Sequence, residues 1–471
     1  MKIKSCLYYL GLSYFPISCL ALINIFYSYY FDYLSNIKSY LIVLFLSIVI
    51  GFIFFQIGKK EKDFIGIYEQ LFLILLIYFS VSLLVLIPFY LSDYEISFIN
   101  SYFESISGLT GTGFTIFDQI KNLDSPLILW RSSSQWIGGF YFLIFLVLIF
   151  SNKQINFKMI DLSFNLEKKI NFSSNLNNVT SRIFFIYLSL TVLIFSLFLI
   201  SDIRLFNSLN LTMSVISSGG FLPTNFLHDI IRNDFQAILL CVGFLISILN
   251  FYLIYNFFFG RDNLKEHSED IYIIFLVLAF SIIFYLINDL NFSYVLINIL
   301  TSISTSGIST GVIPENFGLY FIILTLLGGS VLSTTSGLKF LRIYILIKAF
   351  LMEIYKLVKP NVMLNTKIMF SEKKINTDNI KMSFLIFILF FLSLFILSSI
   401  LLVDLLDFEN SFKLSILTLT NTLDANIYGM NKIQFVDLFT FSKISLIIFM
   451  VIAKVELLAV LILFRKVFFK N

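Results

Sequence analysis

Charge is scarce in this chain. Only 13% of its 471 residues are Asp, Glu, Lys or Arg, against 58% hydrophobic, where a soluble domain carries about 25% charged residues. Such a chain is short of solvent-facing surface. Histidine and cysteine are rarer still, with two and three residues. His228 and His267 stand alone in loops. Cys6, Cys19 and Cys241 lie in or beside apolar runs without metal-ligand or disulfide spacing. Acidic residues inside apolar segments are too few and scattered for an active site between helices. No P-loop, dinucleotide glycine motif or catalytic triad is visible. The sequence therefore argues against an enzyme and offers no site for a bound cofactor or for energy coupling. The net charge of +4 is modest, and no nucleic-acid partner is expected.

What is present is uncharged length. Segments 41–55, 71–91, 183–200 and 384–403 hold no charged side chain. A helix needs about 20 apolar residues to cross the hydrocarbon core, and backbone groups there must bond within the segment. Barrel strands alternate apolar and polar residues, which these runs do not. The sequence predicts an all-α polytopic membrane protein in the lipid bilayer, with spans near 7–30, 39–57, 70–92, 127–150, 183–201, 235–259, 271–288, 317–357, 382–403 and 440–464. The segment 317–357 is too long for one straight span. The first apolar run follows Lys2 and Lys4 and reaches Asp32 without a clear cleavage site, so it reads as a retained helix.

Basic residues fall on alternate loops. One side collects Lys59, Lys60 and Lys62, then Lys153, Lys158, Lys168, Lys169 and Arg182, then Arg261 and Lys265, then Lys356 to Lys381, and finally Arg465, Lys466 and Lys470. The other side is richer in acids, among them Asp118, Asp202, Asp289 and Asp404, with scattered bases such as Lys432. The positive-inside rule then places both termini in the cytoplasm.

The outer loops carry four clusters of small residues: Ser105 to Phe114, Met213 to Phe221, Ser302 to Ile308, and Leu417 to Leu423. Each follows a helix and a half-length segment and precedes another helix, an internal repeat that dictates architecture. The expected units are two N-terminal helices over 1–66, then pore repeats over 67–153, 154–263, 264–375 and 376–471. Any one cluster alone would suit helix packing through small residues. Four in register suit a pore better, because irregular backbone at membrane depth survives where it lines a water-filled cavity. Their carbonyls would replace the hydration shell of a monovalent cation. The clusters contain no carboxylate, which argues against a divalent filter.

These motifs resemble the Trk-type potassium uptake family, within the Trk/Ktr/HKT cation transporter superfamily. The resemblance rests on Phe103 to Thr115 followed by Trp130 to Gly139, on Ser214 to Phe221, on Thr301 to Thr310, on Gly328 to Arg342, on Thr420 to Thr422, and on Ala453-Lys454-Val455-Glu456. It implies potassium uptake across a bacterial inner membrane, usually as a homodimer, with a cytoplasmic nucleotide-binding regulatory subunit of the TrkA type. It implies no bound cofactor, with K+ as cargo. It places a selectivity filter at Gly111, Thr112 and Gly113; Ser218, Gly219 and Gly220; Thr305, Ser306 and Gly307; and Asn421, Thr422 and Leu423. Family members carry glycine where this chain has Leu423. Either the leucine side chain turns away while its carbonyl still coordinates, or the fourth quadrant is degraded and sodium passes as well.

Three further features leave alternatives open. Ser333, Thr334, Thr335, Ser336 and Gly337 interrupt the over-long segment, as an intramembrane gate or a simple kink. Lys454 sits deep in the last apolar segment, facing the pore, pairing with a carboxylate or snorkelling; a buried charge there costs about 2.5–3.5 kcal/mol on insertion scales. Arg131 starts a helix, with a solvated and a pore-facing role equally open.

Overall fold

A computed structural model describes residues 3–34, 36–61, 65–150, 176–251, 253–254, 268–288, 290–311, 317–359, 366–368, 374–404, 406–430, 433–457, 459–460 and 463. Several basic residues that orient the sequence-based topology (Lys62, Lys153, Lys158, Lys168, Lys169, Arg261, Lys265, Lys373, Arg465, Lys466 and Lys470) lie outside the described residues, as do His267, Asp289 and Lys432.

Two N-terminal helices, Ile3–Tyr30 and Ile37–Gly58, pack against each other. Four units follow, each with an outer helix, a short pore helix, a loop and an inner helix. The outer helices are Ile67–Val85, Leu176–Ile200, Ser268–Ile287 and Thr377–Leu401. The pore helices are Phe98–Thr110, Leu205–Ile216, Phe292–Ile303 and Phe408–Thr420. The inner helices are Ser125–Phe150, Asp234–Ile248, the broken pair Gly318–Leu327 and Phe340–Val358, and Thr440–Val455. A pore helix of 12 or 13 residues spans about 18–20 Å at 1.5 Å per residue. That is too short to cross a core of about 30 Å.

The units close into a ring. The first inner helix packs on the second pore helix, the second on the third, the first half of the third on the fourth, and the fourth back on the first. Loops one and three therefore face each other across the axis, as do two and four.

Hydropathy divides the helices systematically. Among the described residues, six helices are long and apolar enough to cross a membrane: the two N-terminal helices and the four outer ones. Every inner helix falls outside that set. The first carries the run Arg131 to Gln135, the second and fourth are short, and the third is interrupted. Helices whose polar face turns to a shared axis need not satisfy lipid on all sides. Two sequence-based spans are interrupted, with helical residues again at 251 and 253–254 and at 457, 459–460 and 463. The segment expected over 235–259 leaves helix after Ile248, and the one over 440–464 breaks after Val455, where Glu456 takes a left-handed φ of 70°.

Candidate ion pathway

All four pore helices end in the same turn. Gly111, Ser218, Thr305 and Asn421 each adopt a left-handed backbone, with φ of 75°, 54°, 58° and 49°. In each case the amide of that residue bonds the carbonyl three positions back, at 3.0, 3.1, 3.1 and 3.2 Å. The next amide, of Thr112, Gly219, Ser306 or Thr422, bonds the carbonyl five positions back, at 3.0, 2.8, 3.0 and 2.9 Å. This is the Schellman ending of a helix. It stops the pore helix and turns the following strand along the axis. The four sequence clusters thus share the same helix-ending turn.

Hydroxyls brace the second position. Thr112 bonds Thr110 at 2.8 Å, Thr422 bonds Thr420 at 2.9 Å, and Ser306 bonds Thr301 at 2.6 Å. The second loop has Gly219 there, and the Gln135 amide fills the space a side chain would take. Asn421 links loops four and one by donating to Thr112 Oγ1 at 2.8 Å. The third positions, Gly113, Gly220, Gly307 and Leu423, all line the floor of a vestibule of about 750 Å³ that Asp118, Asp424 and Asp437 also border. The Leu423 backbone is not left-handed. Its Cβ stands only 2.7 Å and 2.9 Å from where Cβ atoms on Gly220 and Gly307 would be. Leu423 therefore crowds this ring in the direction of the glycines.

Beneath the loops lies the break in the third inner helix, residues 328–339. Its backbone is tied upward and sideways. Thr334 Oγ1 bonds Ser218 Oγ at 2.8 Å, and the Ser336 amide donates to Thr305 Oγ1 at 3.0 Å. The Val331 amide donates to Glu269 Oε1 at 3.0 Å, and the Phe251 amide donates to the Leu332 carbonyl at 2.8 Å. Ser333 and Thr335 share a 2.7 Å hydroxyl bond, and Lys339 Nζ donates to the Ser333 carbonyl at 3.3 Å. Gly337 has φ of 84°. The segment is a folded plug under the loops, more than a bend.

Lys454 is buried at this level. Its Nζ donates to the Thr334 carbonyl at 3.3 Å and to Ser336 Oγ at 3.4 Å, and stands 4.6 Å from the centre of the Phe142 ring. Glu456 pairs instead with Arg342, at 2.7 Å. Arg131 borders the vestibule from within the protein. It is 1% exposed, and its Nε donates to Glu104 Oε1 at 2.8 Å, while its guanidinium lies 4.1 Å from the centre of the Phe221 ring. Sequence reasoning overlooked Glu104, Glu269, Lys339 and Arg342. The signal available was a charged side chain inside or beside an apolar segment, which is expensive unless partnered. His228 is exposed, as its loop position suggested.

Four short helices end in matching turns around one ring, with hydroxyl side chains and no carboxylates at the three loop positions. Such a ring favours a partly dehydrated monovalent cation. Fold and loops together define a multi-pass membrane protein of the four-repeat pore class.

No family model matches the chain. Among characterised structures it resembles the potassium transporter TrkH from Vibrio parahaemolyticus, with a TM-score of 0.82, 21% identity and 98% of each chain covered. In sequence it is 27% identical to an uncharacterized cation transporter of Methanocaldococcus jannaschii, over 66% of this chain and 65% of that protein, just under two thirds of that relative's length. It is 25% identical to the Trk system potassium uptake protein TrkG of Escherichia coli, over 72% of this chain and 74% of that one. It is 24% identical to TrkH of Salmonella typhimurium, over 70% and 72%. The chain has the fold of TrkH, and its likeness to Trk-type proteins extends across sequence and structure.

Proposed function

We propose that this chain is the ion-translocating subunit of a potassium uptake system, a transport protein and not an enzyme. The observation that carries the reading is the fourfold recurrence of one helix ending around one axis, at the floor of a single vestibule. The selectivity filter is then Gly111, Thr112 and Gly113; Ser218, Gly219 and Gly220; Thr305, Ser306 and Gly307; and Asn421, Thr422 and Leu423, with K+ as cargo. The plug at Ser333 to Gly337, with Lys454, is the gate. The protein sits in an inner membrane with both termini cytoplasmic, as a homodimer with a nucleotide-binding regulatory partner. The relatives named as potassium uptake proteins support this assignment.

Leu423 favours a second reading, a poorly selective or sodium-permeable transporter of the same superfamily. One experiment separates the two. Rubidium uptake is measured in a cell deficient in potassium import, with and without competing sodium. Uptake that sodium leaves unchanged supports potassium selectivity, and strong competition supports the alternative. No uptake at all, with the chain present in the membrane, would remove both.

A further inference from the structure

The four loops share one turn but fall into two pairs above it. Glu104 lies seven residues before the left-handed Gly111, and Asn298 lies seven before the left-handed Thr305. Both are buried pore-helix side chains, and both take hold of the same backbone amide. Glu104 Oε2 accepts from the Ile116 amide at 2.9 Å, five residues beyond Gly111. Asn298 Oδ1 accepts from the Thr310 amide at 3.2 Å, five residues beyond Thr305. Each also bonds a threonine hydroxyl of that strand: Thr115 Oγ1 donates to Glu104 at 3.1 Å, and Asn298 Nδ2 donates to Thr310 Oγ1 at 2.8 Å.

Loops two and four lack this brace. The equivalent pore-helix positions are Leu211 and Leu414, both fully buried, which offer no acceptor. In loop two the amide itself is gone, because the residue five beyond Ser218 is Pro223. The division extends to the third position. Gly113 and Gly307 are left-handed, with φ of 85° and 72°, whereas Gly220 and Leu423 are not. The Gly113 and Gly307 amides also reach the carbonyl six positions back, at 3.5 and 3.4 Å. The braced loops are one and three, which face each other across the axis.

We infer that Glu104 and Asn298 are positioning residues that fix the third-position carbonyls of the two opposed loops and so set the cation preference along one diagonal of the pore. Each ties the strand just beyond the left-handed glycine back to the pore helix that precedes it, so the short loop between them is held at both ends and its carbonyl has little room to rotate. A carboxylate and an amide serve equally because the task is to accept from a backbone N–H. The extra charge on Glu104 is matched by Arg131. The inference rests on the uptake reading above, and its test therefore has one readout that does not involve transport.

The full-length chain is purified as wild type, Asn298→Leu and Asn298→Asp. Leucine copies loops two and four; aspartate keeps the acceptor. Hydrogen exchange of the Thr310 amide is followed in detergent, and potassium and sodium permeabilities are compared in proteoliposomes. The leucine variant is expected to exchange at Thr310 much faster and to lose about tenfold in potassium-to-sodium ratio per inserted molecule, the worth of roughly one buried hydrogen bond. The aspartate variant should stay near wild type in both. Wild-type selectivity in the leucine variant overturns the inference, and so does equal loss in both variants. If the leucine variant does not insert, Asn298→Ala is judged by the same criteria. A wild-type chain that exchanges slowly at Thr310 but moves no potassium sinks the uptake reading and leaves the brace itself demonstrated, without its role in ion preference.

Discussion

Lys454 Nζ lies 3.7 Å from the point where a Cβ on Gly111 would stand. The other three left-handed residues, Ser218, Thr305 and Asn421, each anchor their own side chain at this level, to Thr334, to the Ser336 amide, and to Thr112 and the Met450 carbonyl. Gly111 has no side chain to offer, and the ammonium of the last inner helix fills its quadrant. Lys454 thus completes a ring under the loops, and on the uptake reading its positive charge lies on the ion path.

Removing that charge should speed cation flow. Lys454→Ala is expected to raise rubidium influx per molecule at least about fivefold, since a unit charge at about 4 Å is worth ~1–4 kcal/mol between bulk water and a protein-like dielectric. Influx is measured against the amount of protein in the membrane. Unchanged flux per molecule would assign Lys454 a packing role only.

Gly113 tolerates no side chain. Its φ is 85°, and an added Cβ would stand 2.9 Å from the Gly220 Cα, which is backbone and has no soft atoms to move. Left-handed geometry alone costs an L-residue roughly 1–2 kcal/mol. Gly113→Ala should reach the membrane yet lose most rubidium uptake. Wild-type uptake by this variant would mean that the loops only pack helices.

Leu423 should weaken selectivity through its bulk. Its backbone avoids the left-handed region, so its effect comes from its Cβ, which occupies the space where side chains on Gly220 and Gly307 would stand. Leu423→Gly is expected to raise the potassium-to-sodium permeability ratio severalfold while conduction persists. An unchanged ratio would show that the leucine carbonyl already coordinates normally.

Glu104 and Arg131 form a fully buried ion pair. Breaking one partner of such a pair costs about 3–5 kcal/mol, because the other is left uncompensated. Arg131→Met should lower the unfolding midpoint in detergent clearly, and adding Glu104→Gln should restore part of it. Additive losses would argue against coupling.

Much of this architecture is legible in the sequence. The outer helices announce themselves through uninterrupted apolar length, and the four clusters through their repeat. The inner helices are harder to bound, because a pore-facing helix mixes polar and apolar residues and ends where tertiary bonds end it. Ile248 and Val455 are stops of that kind: the chain there is captured by the plug or by the Arg342–Glu456 pair. The pairing of Glu104 with Arg131, and the shared task of Glu104 and Asn298, cannot be read from spacing alone. Residues 27 apart meet only once the pore helix folds back, and a carboxylate and an amide in corresponding places look unrelated until both are seen to hold one amide.

The plug below the loops has a thermal consequence. It is held by hydrogen bonds to Ser218, Thr305, Glu269 and Lys454 in surroundings with little water, where each bond is stronger than it would be in solvent. If this plug is the gate proposed above, withdrawing it breaks several of them together before water replaces them. The activation enthalpy of opening is therefore large and partly offset by the entropy of the released segment. On that proposal, permeation should rise steeply on warming, far more than diffusion in an open aqueous channel, and cooling alone should arrest it.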